Sequence, residues 1–382
     1  MIKGNKGEWS ELYVLVSLLA DGKLYQSDIF LQKDLENVYD VISGYKSEAE
    51  YLLEFERSDE IILYKIENEN KTLLNTYSYH QLREMSNVLR EGIEKGKGLS
   101  FGIIGTDDFL ANAQIKKLKA PATVKADINL KIYDHRLAKA TNLGFSIKSL
   151  LGGNSTLFNT GKGNNFIYKV NVKLGETVSE FNSRTYSPSG NISKITHRLH
   201  ELENKGASFV FEKIQSHQLW KNLKMIDGDL PEILAWAQYY KWTTRNSSIV
   251  EVVKILEERD PLNFYDGKES AQKLYEYKLK RFLTEAAMGM TSEKPWMGEY
   301  DSFGGVIIAK QDGDIVCFHI YDFNLFRNYL IDNTMFEQAG TGEDSENPGQ
   351  SNPNSGKNYN YGWLYEDNEE LFFKINLQIR FK

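Results

Sequence analysis

The stretch 126–153, ADINLKIYDHRLAKATNLGFSIKSLLGG, contains two consecutive strand patterns that each carry one charged residue at an end. Asp127 directly precedes the alternating run INLKI, and Lys148 directly follows the run FSI. A polar, turn-prone segment joins the two runs, which predicts a β-hairpin with Asp127 and Lys148 at the same end of the sheet. A carboxylate there can bind a hard divalent cation, and a lysine beside it can hold or deprotonate a water. Hydrolysis of a phosphodiester requires these groups together.

The spacing of Asp127 and Lys148, taken alone, is weak evidence that they form a catalytic pair. Asp127 and Lys148 are 21 positions apart, and chance supplies such a pair many times in a chain of 382 residues. A solvent-exposed aspartate at the start of one strand and an exposed lysine at the end of the next would give the same pattern. The pair therefore needs support from the rest of the chain.

Composition is that of a globular protein from a reducing compartment. Hydrophobic residues make up 41% of the chain, which excludes wholesale disorder. Cys317 is the single cysteine, so neither an intramolecular disulfide nor a cysteine-based zinc site can form. No apolar run approaches the roughly 20 residues of a membrane span. Glu8 and Glu11 interrupt the apolar stretch near the N-terminus, which indicates an amphipathic helix rather than a signal peptide. We expect a soluble, cytoplasmic protein without a membrane partner.

The charge of the chain is distributed unevenly. The net charge is −7, but residues 116–224 contain 18 Lys and Arg against 7 Asp and Glu, a local charge of +11. The remainder of the chain carries −18. A basic middle segment between acidic ends is typical of a protein with a nucleic-acid-binding groove and an acidic, soluble remainder. Lysines on solvent-exposed strands and helices without a binding role would give the same count.

Apolar periodicity predicts helices and short strands in a mixed order. Helical patterns cover 6–20, 32–46, 79–95, 107–119, 189–204, 214–224, 229–242, 247–258 and 269–288. Strand and hairpin patterns cover 61–79, 128–148, 166–172, 304–323 and 362–381. Residues 339–360 are rich in Gly, Ser, Asn and Pro and predict a mobile loop. The order predicts a layered α+β or α/β fold rather than a strict βαβ series.

Several separated motifs resemble one known family. They are GNKGEWSELY and LLADGKLY near the N-terminus, KADINLKIYD, GFSIKSLLG and STLFN in the middle, and INLQIRF at the end. Together, and in this order, they resemble the HpaII family of type II restriction endonucleases. The resemblance implies an α+β fold with a PD-(D/E)XK restriction-endonuclease-like core, a mixed central sheet flanked by helices, and helical and β-hairpin additions. We assign the core to 1–213, a helical region to 214–300 and C-terminal hairpins to 301–382.

The resemblance also implies an activity. It implies Mg²⁺-dependent cleavage of double-stranded DNA at a short GC-rich site, CCGG-like or related, because the member that names the family cuts within CCGG. It further implies a protecting DNA methyltransferase in the same system. A palindromic site normally requires a symmetric enzyme, so we expect a homodimer or a higher homo-oligomer.

Residue by residue, the resemblance assigns the motif aspartate to Asp127 and the motif lysine to Lys148. The acidic position two residues before the lysine falls on Ser146, which departs from the usual signature. A hydroxyl is a weak Mg²⁺ ligand without negative charge, so a second carboxylate has to come from elsewhere. Glu11 is the first choice, because KGEWSE resembles the KGxxxE helix that several nucleases of this fold pack against the catalytic sheet.

Other carboxylates are alternatives to Glu11. Glu8 lies three residues earlier on the same helix, where stabilisation of the first helical turn explains it equally well. Glu176 and Glu180, which lie in the basic part of the chain, are further candidates for the second carboxylate if neither Glu11 nor Glu8 supplies it. Two arrangements are thus open for the metal ligands: Asp127 with Glu11, or Asp127 with Glu8.

DNA recognition requires phosphate contacts and readers of base edges. The candidates lie at 160–165 and 182–198, inside the basic segment. Arginine pairs with guanine and asparagine with adenine, whereas lysines more often contact phosphates. The predicted DNA-binding residues are Lys162, Asn164, Asn165, Arg184, Lys194 and Arg198. Each of them, taken singly, is explained equally well by surface solubility.

Two other functions remain open at this point. Ser146 leaves room for a non-catalytic DNA-binding protein on a nuclease scaffold. A structure-selective nuclease is the second alternative, and indifference to duplex sequence would distinguish it.

Overall fold

A computed structural model describes residues 1–119, 126–153, 155–184, 192–299, 304–337 and 361–382. The predicted loop 339–360 lies outside these residues. The chain forms two compact units: unit 1 is Met1–Ser155 with Tyr300–Phe326, and unit 2 is Thr156–Glu299 with Arg327–Lys382.

The helices and strands are as follows. The helices are α1 Lys6–Asp21, α2 Tyr79–Lys95, α3 Asp107–Asn112, α4 Val178–Asn182, α5 Lys194–Asn204, α6 His217–Ile226, α7 Leu230–Thr243, α8 Ile249–Arg259, α9 Leu274–Ala287 and α10 Phe323–Asn333. The strands are β1 Lys23–Ser27, β2 Lys33–Ser47, β3 Leu52–Arg57, β4 Ile61–Glu67, β5 Asn70–Tyr77, β6 Ile128–Asp134, β7 Lys139–Ser149, β8 Thr156–Phe158, β9 Asn165–Asn171, β10 Ser208–Ile214, β11 Gly305–Ala309, β12 Ile315–His319, β13 Thr334–Phe336, β14 Leu364–Asp367, β15 Glu370–Asn376 and β16 Ile379–Phe381.

Unit 1 is built on a mixed sheet with the strand order β1-β12-β11-β7-β6-β2-β3-β4-β5 among its described residues. Strand β11 runs parallel to β7, and β1 runs parallel to β12, whereas the other pairs are antiparallel. Strand β1 also pairs with the first half of β2, so the six strands from β1 to β2 close into a ring. The architecture confirms the predicted α+β class with a central mixed sheet and helices.

Helix α1 is the buried helix of unit 1. Asn5 caps its N-terminus, and Gly22 ends it in the left-handed conformation at φ 77°, as the Asp21-Gly22 pair predicts. Its apolar residues join Ile128, Leu130 and Phe145 in one core. At Gly44 in β2 the approach of α1 is so close that a Cβ atom would collide with a leucine methyl group of the helix. Glycine is therefore required where the helix crosses the sheet.

The predicted helix at 32–46 is wrong, because this segment forms strand β2. Valine, isoleucine and tyrosine are frequent in it, and these residues favour strands when neighbours are present on both sides. Strand β2 pairs with β6 through Tyr39–Tyr45 and with β3 through Ser43–Ser47. Tertiary pairing thus overrides the helical spacing of its apolar residues.

The two units divide the chain differently from the predicted segments 1–213, 214–300 and 301–382. The hairpin β11–β12 belongs to unit 1 because β11 pairs with β7 over Gly305–Ala309. Residues Thr156–Glu299, which include the last part of the predicted core segment, belong to unit 2. The predicted core segment is therefore shared between both units.

Unit 2 combines helices with two small sheets. The first has the order β10-β9-β15-β14, and the second has the order β13-β16-β8. The hairpins predicted at 304–323 and 362–381 are confirmed as β11–β12 and β14–β15. Strand β10 was not predicted, and the helix predicted over 107–119 ends at Asn112. No helix in the described ranges is both long and apolar enough to cross a membrane.

Candidate active site

The predicted hairpin is formed by β6 and β7, and Asp127 stands at its open end. Ile128 pairs with Phe145, and the amide N–H of Asp127 donates to the Phe145 carbonyl oxygen at 3.1 Å. The Asp127 carboxylate is exposed, and its Oδ2 accepts a hydrogen bond from the Ile147 amide at 2.7 Å. This bond fixes the carboxylate against β7, beside the position of Lys148.

Ser146 and Lys148 share one face of β7. Strand alternation places both on the face opposite to Phe145 and Ile147, which pack in the core with α1. The same alternation places Asp127 on the face of Ser146 and Lys148. Burial lowers the pKa of the Lys148 ammonium, and the negative charge of Asp127 opposes this effect. The structure therefore brings the predicted aspartate and lysine together.

Glu11 reaches the same end of the sheet from helix α1. Its side chain lines a small pocket together with Lys46, Asp127 and Asn129. Burial first, and then the charge of Asp127, raises the pKa of Glu11 from 4.5 to about 8. The hydroxyl groups of Ser10 and Ser149, 2.8 Å apart, hold the helix against the end of β7. The Asp127 charge thus acts on both Glu11 and Lys148.

Glu8 has a hydrogen-bonding role at the start of α1. Its carboxylate accepts a hydrogen bond from the Asn5 amide at 2.9 Å, and the Asn5 side chain accepts one from the Glu8 amide at 3.0 Å. This reciprocal capping box stabilises the start of α1. Glu8 still contributes to the raised pKa of Glu11 through its charge. The pocket favours Glu11 over Glu8 as the partner of Asp127.

Lys46 is a residue of this pocket that the sequence did not reveal. It lies on β2 beside β6, and its Nζ donates to the Leu118 carbonyl oxygen at 2.8 Å. Burial lowers its pKa, while the charges of Glu48 and Glu11 raise it. Because 32–46 was predicted as a helix, no sequence signal placed Lys46 next to Asp127. A correct strand prediction for β2 would have shown it.

The donor set of this pocket fits magnesium. Among the described residues, no three His, Cys, Asp or Glu side chains converge into a group that could enclose a metal ion. Magnesium does not require such a group, since it keeps several waters and usually takes one or two protein carboxylates plus substrate phosphates. Asp127 and Glu11 provide two carboxylates that line one pocket, and a bound cation would relieve the repulsion between their charges.

Comparisons with known proteins support the resemblance in the sequence. The family model described as HpaII restriction endonuclease matches residues 5–381. The chain is 33% identical to the type II restriction enzyme HpaII of Haemophilus parainfluenzae, over 99% of this chain and 98% of that protein. The chain belongs to the HpaII restriction endonuclease family. No solved structure matches it.

Three of the predicted DNA contacts of this HpaII-family chain are buried in unit 2. Asn164 donates to the carbonyl oxygens of Asn159 and Leu377 at 2.7 and 3.2 Å. Asn165 bonds Gln215 and Asn376, and Arg198 donates to the Gly362 carbonyl at 2.6 Å with Trp363 against its guanidinium. The three are less than 2% exposed, so they hold unit 2 together and are not carried forward as DNA contacts.

The other predicted DNA-binding residues, Arg184, Lys162 and Lys194, differ in how accessible they are to DNA. Arg184 forms ion pairs with Glu176 and Glu201, which leaves it little freedom to read a base. Glu176 also pairs with Lys205 at 3.1 Å, and Glu180 caps helix α4 through Thr177. Glu176 and Glu180 thus have structural roles within unit 2. Lys162 and Lys194 are exposed.

In metal-free buffer at pH 8 or above, we expect Glu11→Gln to stabilise this HpaII-family protein. The pKa of Glu11 is 4.5 in the unfolded chain and about 8 in the folded one, so the folded state binds more protons between these values. Stability from this group is therefore complete below pH 4.5 and is lost as the pH rises through 8. Glutamine removes that loss, and we expect a gain of about 1 kcal/mol, or about 1 °C in unfolding temperature for a chain of 382 residues.

Thermal unfolding at pH 8.5 and pH 4 measures this effect. At pH 4 the carboxyl is protonated in both states, and the difference between Glu11→Gln and the wild type should vanish. Glu8→Gln is the matched control, and it should show no gain at pH 8.5 because Glu8 does not line the pocket and a glutamine oxygen can still accept the Asn5 hydrogen bond. Equal unfolding temperatures of Glu11→Gln and wild type at pH 8.5 would contradict the raised pKa.

Proposed function

We propose that this protein is a Mg²⁺-dependent type II restriction endonuclease that hydrolyses double-stranded DNA at a short GC-rich site, CCGG or a related sequence. We further propose that unit 1 is a PD-(D/E)XK core. The observation that carries the proposal is the position of Asp127, whose carboxylate is fixed against β7 and acts electrostatically on both Glu11 and Lys148.

The site residues of unit 1 have different roles in the proposed hydrolysis. Asp127 and Glu11 would hold Mg²⁺, with Glu8 as the alternative second carboxylate. Bound there, the metal would stabilise charge on a phosphoryl oxygen and lower the pKa of water. Lys148 orients the attacking water, and its lowered pKa leaves a larger fraction of the amine unprotonated and able to accept a proton. Ser146 contributes a hydroxyl on the same face of β7.

The target and the partners follow from the family. The type II restriction enzyme HpaII is similar along the whole chain, which favours a related recognition site. A palindromic site has two equivalent strands, so we propose a homodimer or a higher homo-oligomer that cuts both. A DNA methyltransferase of the same system would protect the host sites.

Digestion of plasmid DNA across a magnesium titration tests the proposal. We expect discrete fragments that require Mg²⁺ and disappear with chelator, and run-off sequencing of the ends should give the site and the cut position together. Asp127→Asn serves as the control for contaminating nucleases. Sequence-independent cleavage of branched DNA would favour a structure-selective nuclease instead, and specific binding without cleavage at any Mg²⁺ concentration would favour a non-catalytic DNA-binding protein.

A further inference from the structure

The outer face of helix α6 presents aromatic and basic side chains to solvent. These side chains recur at intervals of three and four residues, the spacing of one helix face. The exposed aromatic and basic residues are His217, Trp220, Lys221 and Lys224. The residues of α6 that are buried are Leu219, Asn222, Leu223 and Ile226. The buried face holds α6 in unit 2, which leaves the other face for a different role.

Trp220 is the unusual residue of this face. It is 37% exposed although tryptophan is the largest side chain, and the His217 ring stacks on it at 5.4 Å with an interplanar angle of 11°. The Nζ of Lys224 lies 5.9 Å from its ring centroid. Exposed aromatic rings flanked by cations are enriched where proteins contact other molecules.

The charged side chains of α6 itself are all positive. Residues 213–226 contain three lysines and no aspartate or glutamate. A fourth lysine lies close by, because the Ser216 amide at the start of α6 donates to the Gly163 carbonyl at 3.0 Å, next to exposed Lys162. Neither Lys162 nor Lys221 forms an ion pair with any residue that the structure describes. Their charge is therefore available to a partner.

We propose that this surface, defined as Lys162, His217, Trp220, Lys221 and Lys224, binds duplex DNA. The inference rests on the proposed function, in which duplex DNA is the substrate. Charge complementarity selects this partner, since duplex DNA carries one negative charge per about 1.7 Å of helix axis and its major groove admits an α-helix. The lysines contact phosphates, and the stacked rings of His217 and Trp220 pack against sugars or base edges.

Salt-dependent binding tests the surface without relying on cleavage. The test is the fluorescence anisotropy of a labelled CCGG duplex and of a scrambled duplex with the full-length protein, from 50 to 300 mM NaCl. A chelator is present throughout so that no DNA is cleaved. Loss of two phosphate contacts in Lys221→Gln/Lys224→Gln should weaken binding to both duplexes roughly 50-fold near 0.1 M salt and make the slope of log K against log salt shallower by about 1.8. Trp220→Ala should weaken binding about fivefold with an unchanged slope.

Lys254→Gln/Lys268→Gln is the matched control, because it removes the same charge from exposed positions of unit 2 that do not belong to α6. It should change affinity less than about twofold. Wild-type affinity and slope in Lys221→Gln/Lys224→Gln would overturn the surface. If that variant changed only the oligomeric state in sedimentation velocity, α6 would instead contact a second copy, which also overturns it. A wild-type protein that neither binds nor cuts duplex DNA would overturn the proposed function as well. If the wild type cuts duplex DNA and the α6 variants bind it as the wild type does, only the proposed surface is overturned.

Discussion

Lys148→Ala should bind its DNA site with wild-type affinity and cleave it about 10³- to 10⁴-fold more slowly. The ammonium group sits on the face of β7 beside the Asp127 carboxylate, and burial lowers its pKa. Removal of the amine takes away the group that we propose to orient the attacking water and accept its proton. The proposed metal ligands Asp127 and Glu11 are unchanged, so metal and DNA binding should persist.

Single-turnover cleavage rates and anisotropy with Ca²⁺ in place of Mg²⁺ separate the two effects. Lys139→Ala is the matched control, since Lys139 is an exposed lysine at the opposite end of the same strand. It should cleave at the wild-type rate. A Lys148→Ala variant that still cuts at a rate close to wild type would show that another group activates the water, and Lys46 in the neighbouring pocket would be the next residue to test.

Glu11→Gln should reduce cleavage at 1 mM Mg²⁺ by about 10²- to 10³-fold, whereas Glu8→Gln should retain activity within a few-fold. The two glutamates lie on the same helix, three residues apart, but only Glu11 lines the pocket with Asp127. Glu8 belongs to the capping box with Asn5, where a glutamine oxygen can accept the same hydrogen bond, so Glu8→Gln should leave both the start of α1 and the proposed metal site intact.

A magnesium titration of the cleavage rate measures the difference. Partial recovery of Glu11→Gln at high Mg²⁺ concentration, with no such dependence in Glu8→Gln, identifies Glu11 as a ligand. If Glu8→Gln lost activity and Glu11→Gln kept it, the second carboxylate would be Glu8, and the raised pKa of Glu11 would reflect burial alone.

Local patterns in the sequence predicted the site better than they predicted the sheet around it. The alternation before and after residues 134–139 gave the β6–β7 hairpin, and helix α1 was predicted within one residue at its end because Asp21-Gly22 is a strong stop signal. Both features depend on residues close in sequence. The motifs around Asp127, Lys148 and Glu11 were therefore sufficient to place Asp127 next to β7, which carries Lys148, and in one pocket with Glu11.

Features that depend on distant residues were missed. Strand β2 was predicted as a helix, since its apolar spacing suits either structure and its partners β3 and β6 are not visible in the segment itself. Arg198 and Asn164 were assigned to DNA because their residue types suit base contacts. Their burial depends on Gly362 and Leu377, more than 150 residues away. Residue type and local charge carry no information about such contacts.

The pairing of β7 with β11 has a consequence for synthesis on the ribosome. The strand that carries Lys148 acquires its parallel neighbour only when residues 305–309 have left the exit tunnel. Until then the nascent chain holds β7 as an unprotected edge, and pairing across such a long intervening segment is slow. The sheet around Lys148 is therefore completed only late in translation.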